Sequence, residues 1–171
     1  MPTIDVTVYY LEMLAHAKRA IAAPRDDLMI VHAHNPSVAY YRYLYHAVGA
    51  DYHWRSRGLL SDAALAAILS DPGIEVHVLH VAGCPAGFAE LDRRKSDDVE
   101  LVQFGLMRDH IGKGLGKYFL QCVIDKVWSD RPRRFWLHTC TLDHPHALPN
   151  YEKSGFTLYK QEVIQRDVPR V

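Results

Sequence analysis

Cysteine is scarce: Cys84, Cys122 and Cys140 are the only three, far apart and odd in number. That excludes a disulfide framework and the paired spacing of a structural zinc site, and it fits a reducing, cytoplasmic setting. Net charge is also missing. Lys plus Arg and Asp plus Glu number 20 each, without a basic run, so no electrostatic footprint for nucleic acid is present. Long apolar stretches are absent too. No run reaches the length of a membrane span, and the first twenty residues have no basic segment leading into an apolar one, so a soluble, untargeted chain with a small-molecule partner is expected. Repeats, low-complexity tracts and linkers are lacking, and 171 residues read most simply as one domain spanning 1–171.

What is present is a regular alternation of elements. Residues 4–14 alternate as a strand, residues 15–23 are Ala-rich and read as a short helix stopped by Pro24, and residues 28–33 read as a strand or a loop. Val38, Tyr41, Leu44, Tyr45 and Val48 recur at helical spacing, predicting a helix over 37–48, and a second is expected at about 61–70. Residues 75–82, which alternate and are rich in Val, 86–93, after the Gly83-Cys84-Pro85 turn, and 99–107 form three strands in an antiparallel meander. A helix over about 114–128, a strand over 134–142, a helix over 145–153 with Pro145 in its first turn, and a strand from Phe156 to Val163 complete a mixed α/β sheet.

The stretch with chemical content is 104–117. An apolar strand runs into Gly112, Gly114 and Gly116 at alternate positions and then into an amphipathic helix. Glycines let the backbone approach an anion closely, and the helix N-terminus adds partial positive charge, so the pattern predicts a phosphate cradle, with pyrophosphate the expected ligand. Spaced glycines also serve dinucleotide folds. Those place the loop after the first strand of a βαβ unit with an acidic residue about 20 positions later, whereas here it follows a later strand and leads to Trp128 and Asp130-Arg131-Pro132.

The segment Ile111-Gly112-Lys113-Gly114-Leu115-Gly116 and the later Asn150-Tyr151-Glu152-Lys153-Ser154-Gly155-Phe156 together resemble the GNAT superfamily of acyl-CoA-dependent N-acetyltransferases. The glycines match the family signature, while Ile111 stands where it has Arg or Gln and His144 where it commonly has Asn. The resemblance implies a mixed, mostly antiparallel central sheet of about six to seven strands flanked by about four helices. It implies acetyl-CoA as cosubstrate without a metal, and a small-molecule primary amine as acceptor. Coenzyme contacts would come from Leu106, Met107, Arg108, Ile111, Gly112, Lys113, Gly114, Leu115, Gly116, Lys117, His144 and Tyr151. Tyr151 would protonate the departing thiolate, Glu100 would be the general base, and a backbone N–H near Leu106 would polarise the carbonyl. Two other readings stay open: a non-catalytic acyl-CoA-binding module, and a transferase using a longer acyl-CoA.

Other residues carry two readings each. Glu90 and Asp92 share a strand face, expected to be solvated. Tyr40, Tyr41, Tyr43, Tyr45, Tyr52, His53, Trp54 and Arg55 form an aromatic concentration that either packs in the core or walls an acceptor pocket, and exposed aromatics are compatible with a homodimer. His138, His144 and His146 lack ligand spacing, and Cys140 reads as a packing residue rather than a nucleophile.

Overall fold

The computed structural model describes residues 3–167. Its elements are β1 (Thr3–Met13), β2 (Leu28–Ala33), α1 (Val38–Gly49), α2 (Asp62–Leu69), β3 (Ile74–Val81), β4 (Cys84–Asp92), β5 (Asp98–Leu106), α3 (Leu115–Trp128), β6 (Arg134–Cys140), α4 (Ala147–Lys153) and β7 (Thr157–Asp167). The strands form one sheet in the order β2-β3-β4-β5-β6-β1-β7. Every neighbouring pair is antiparallel except β5 and β6, which run parallel.

Local chemistry explains the boundaries. Ser37 and Ser61 cap α1 and α2, their side chains accepting from the N–H groups of Tyr40 and Ala64 at 3.2 Å each. Ala82 and Gly83 both adopt positive φ between β3 and β4, the conformation a two-residue hairpin requires. Pro149 lies inside α4, tolerated there because the N–H groups of a first turn have no intrahelical acceptor.

The helices cover the sheet from two sides. On one, Tyr41, Leu44, Tyr45 and Val48 of α1 and Leu65 and Leu69 of α2 meet Val76, Val78 and Phe88. On the other, Phe119, Leu120, Val123, Ile124 and Val127 of α3 meet Leu79, Leu91, Val99, Leu101, Phe135 and Leu137. Each such fully buried side chain contributes about 1.5–3 kcal/mol of transfer free energy.

Two expectations are corrected. Residues 15–23 form no helix: the Ala17 carbonyl accepts from Gln121 Nε2 at 3.1 Å, and Arg19 donates to the Lys153 carbonyl at 2.7 Å, so this stretch is held extended against α3 and α4. Helix α4 begins at Ala147, not Pro145, and β2 resolves the strand-or-loop ambiguity at 28–33 as a strand.

Candidate active site

The site begins where two strands part. β5 and β6 pair only from Asp98–Arg134 to Leu101–Leu137. Beyond Leu101 the strands diverge, because the β4 register shifts between Glu90, opposite Gln103, and Leu91, opposite Leu101, leaving Val102 as an extra residue that bends β5. Residues 102–106 therefore have β4 on one side and, among the described residues, no strand on the other. Their free backbone edge needs partners, which an extended ligand can supply.

At the end of this gap lies the glycine segment. A short turn at Arg108–His110 leads to Gly112 (φ +79°) and Gly114 (φ +76°), and α3 starts at Leu115 with no side-chain cap. A Cβ on Gly112 would meet nothing within 4 Å, and one on Gly114 only Pro24 at 3.9 Å, so open space faces the loop. The first N–H groups of α3 point from this loop without intrahelical acceptors. A pyrophosphate fits these features, with Lys113 and Lys117 exposed beside it.

The other expected contacts fall into two groups. Leu106 packs in the α3 core, Met107 donates its N–H to the Ala86 carbonyl at 2.8 Å, and Ile111 donates to the Arg108 carbonyl at 3.3 Å. Leu115 is buried and Gly116 lies against Leu106. Arg108 is engaged elsewhere: its guanidinium grips Asp51 at 2.5 and 3.0 Å, fastening the segment to the connection after α1. His144 sits edge-on to Tyr52 with ring centroids 6.0 Å apart, and its Nδ1 accepts from the His146 N–H.

Tyr151 and Glu100 lie on opposite sides of the sheet. Tyr151 on α4 is half-buried, edge-on to Phe104 and Phe156 at 6.3 and 6.0 Å, and its hydroxyl has no hydrogen-bond partner among the described residues. Burial, then the Asp143 carboxylate, push that hydroxyl above its usual range, so it is protonated at neutral pH. Glu100 alternates with Val99 and Leu101, which face α3, and so points to the α1/α2 side. Its side chain is 23 % exposed, with His138 Nε2 3.8 Å from Oε1. Burial first, then the Asp92 charge, raise its carboxyl to about 7, against the opposing pull of Arg57. The gap between β5 and β6 joins the two faces.

Three observations go beyond the sequence reading. Glu90 is fully buried rather than solvated: Tyr41 donates its hydroxyl to Oε2 and Arg57 Nη2 donates to Oε1 at 2.5 Å. Asp143, not singled out from sequence, accepts from Thr139 Oγ1 at 2.6 Å, from the Cys140 N–H at 2.9 Å and from Trp54 Nε1 at 3.3 Å. Its one sequence signal is an acidic residue just past a strand. The Tyr-rich segment divides: Tyr41 and Tyr45 are core, Tyr43 is half exposed, and Trp54 reaches Asp143 at the rim. Cys140 is half-buried, and burial, then Asp143, push its thiol up, away from the thiolate a nucleophile needs.

Residues 38–156 match the model of the Acetyltransferase (GNAT) family. The chain belongs to this family. Solved structures share its fold at low identity. A GCN5-related N-acetyltransferase from Sphaerobacter thermophilus is 16 % identical with a TM-score of 0.68, covering 95 % of this chain and 51 % of its own. An aminoglycoside acetyltransferase from an uncultured soil metagenomic sample, in complex with sisomicin, is 12 % identical with a TM-score of 0.65 over 85 % of this chain and 98 % of its own. A tandem GNAT protein from the clavulanic acid biosynthesis pathway is 14 % identical with a TM-score of 0.64, covering 94 % and 52 %. This GNAT chain spans only 51–65 % of the length of the first three structures compared. No curated protein matches. Among the described residues, no group of His, Cys, Asp or Glu is arranged to hold a metal ion, and no helix is long and apolar enough to cross a membrane.

Proposed function

We propose that this GNAT acetyltransferase moves an acetyl group from acetyl-CoA to a primary amine of a small acceptor by direct attack, acting as one domain over 1–171. The observation that carries the reading is the β5/β6 gap, with the glycine cradle at its end and a protonated tyrosine and a near-neutral carboxyl on its two sides. Coenzyme A would lie on the α3/α4 side, its pyrophosphate held by backbone N–H groups of 112–117 with Lys113 and Lys117 adding charge. Bound there, it supplies an activated thioester carbonyl.

The residues of the chain then have separate tasks. Glu100, as carboxylate, takes a proton from the acceptor ammonium directly or through water, freeing the nitrogen lone pair. Backbone N–H groups on the free edge of 102–106 donate to the thioester carbonyl oxygen as it gains charge. The new C–N bond forms as the C–S bond breaks, and Tyr151 gives its proton to the sulfur. The amide nitrogen then sheds its second proton to water, while water restores the Tyr151 proton and removes the one on Glu100.

Thiol release from acetyl-CoA, measured with a panel of amines including aminoglycosides and polyamines, tests the reading. Amine-dependent release with acetylated product is expected. Tight coenzyme A binding with no transfer to any amine would instead support a binding module, and preference for longer thioesters a different acyl donor.

A further inference from the structure

Arg57 and Glu90 form an ion pair that neither the cradle nor the proposed acid and base employs. Glu90 has no exposed surface and the Arg57 side chain keeps 15 %. Both carboxylate oxygens are occupied, one by Arg57 Nη2 and the other by the Tyr41 hydroxyl, and the Arg57 backbone N–H donates to the Tyr45 hydroxyl at 3.3 Å. A buried ion pair adds little net stability compared with apolar residues of the same volume, and its best-attested use is to fix one arrangement of the chain.

The arrangement fixed here is that of the connection between α1 and α2. Arg57 belongs to no helix or strand, and its neighbours reach across the rim of the gap. Ser56 Oγ lies 3.5 Å from Gln103 Nε2 on the bent part of β5. Trp54 donates to Asp143 beyond β6, and Arg55 donates to the Asp167 carbonyl at the end of β7 at 3.0 Å. Gly105 has no room for a side chain, since a Cβ would lie 2.5 Å from Val48 Cγ1 and 3.7 Å from the Trp54 ring. One short stretch thus touches the bent part of β5, the turn after β6 and the end of β7, and Arg57 is its buried anchor.

We propose that Arg57, locked by Glu90 and Tyr41, is a positioning residue that seats residues 54–57 as the acceptor-side wall of the gap and so selects which amines reach Glu100. This rests on the reading that the acceptor enters on the α1/α2 side. The charges facing Glu100 agree with it. Asp92 and Glu90 on β4 hold its proton more tightly, Arg57 and Lys95 loosen it, and His138 faces it from β6. Intact, the Arg57–Glu90 pair nearly cancels, and neutralising one member unbalances it.

Hydrogen exchange of the full chain, coenzyme A binding and acceptor kinetics across pH, on Glu90→Gln and Arg57→Lys, test the proposal. Glu90→Gln keeps the side-chain shape but not its charge. Backbone amides of 53–59 should exchange about tenfold faster or more, with α3 exchange unchanged. The acceptor KM should rise about tenfold with a smaller change in kcat, and coenzyme A affinity should stay within about twofold. The low-pH midpoint of kcat/KM should fall in Glu90→Gln, as the lost negative charge no longer holds the Glu100 proton. Arg57→Lys, which keeps the positive charge and loses the planar fork, should loosen the loop but leave that midpoint in place. Wild-type exchange at 53–59 in both variants overturns the proposal, as does faster exchange with an unchanged acceptor KM. Absence of turnover with every amine overturns the transfer reading and the selecting role with it, while exchange still decides the anchoring. Should Glu90→Gln fail to fold, Arg57→Met with Glu90→Leu removes both charges together and should show the same faster exchange.

Discussion

Replacing Glu100 by Gln should make the protein more stable at alkaline pH, and the size of the gain follows from the site. Its carboxyl is raised from 4.5 to about 7 by burial and by Asp92. A carboxyl that holds its proton more tightly folded than unfolded favours the folded state below the unfolded value, and that contribution is lost as pH rises through the folded one. The loss therefore develops between pH 4.5 and about 7 and is complete above it. At about 1.4 kcal/mol per pH unit the full linkage is about 3 kcal/mol, and solvent screening brings the observable part to about 2 kcal/mol. Gln fills the same space and cannot ionise. Urea unfolding of both proteins at several pH values between 5 and 8.5 isolates this group, since all others titrate in both. Glu100→Gln should gain on wild type by about 2 kcal/mol between these limits while losing about a hundredfold or more in turnover. A stability difference that is flat with pH would refute the raised carboxyl, whatever the turnover shows.

Tyr151→Phe keeps the ring contacts with Phe104 and Phe156, so coenzyme A affinity by calorimetry should be nearly unchanged while kcat falls about a hundredfold; unchanged kcat removes Tyr151 from the acid role. Gly114→Val forces a β-branched residue to φ +76°, costing about 1–2 kcal/mol in thermal unfolding, and should abolish coenzyme A binding; retained affinity sinks the cradle. Gly49→Ala would put a methyl 2.5 Å from the Trp54 ring, and denaturant unfolding should show a loss of about 1–3 kcal/mol.

The elements from Ser37 onward were legible because periodicity and punctuation agree there. Caps at Ser37 and Ser61 and the stripe of α1 all fall where local chemistry puts them. The glycine loop was equally legible, since two positive-φ glycines before a helix are a backbone requirement that sequence displays directly. Residues 15–23 misled because Ala-rich composition favours a helix, but Gln121 and Arg19 recruit that backbone into tertiary hydrogen bonds. Glu90 misled for a related reason. Period two reports which residues share a face, not what covers it, and α1 together with Arg57 closes over a face that alternation suggests is wet. Asp143 was missed because its three donors come from Thr139, Cys140 and Trp54, the last distant in sequence.

The placement of the gap follows from strand order. β6 is held along one edge by β1, with six residue pairs from Val8–Cys140 to Met13–Phe135, and β1 is held in turn by β7 from Thr3–Asp167 to Glu12–Thr157. On its other edge β6 meets β5 through four pairs only. The bend at Val102 carries β5 away from β6 after Leu101–Leu137, while the β6/β1 ladder continues unbroken. Residues 38–156 carry the cradle, Tyr151 and Glu100, but β1 and β7 lie outside that span and keep the far side of β6 closed. The first and last strands thus contribute to the site without touching it: they make the β5/β6 boundary the weaker one, and the cleft opens there.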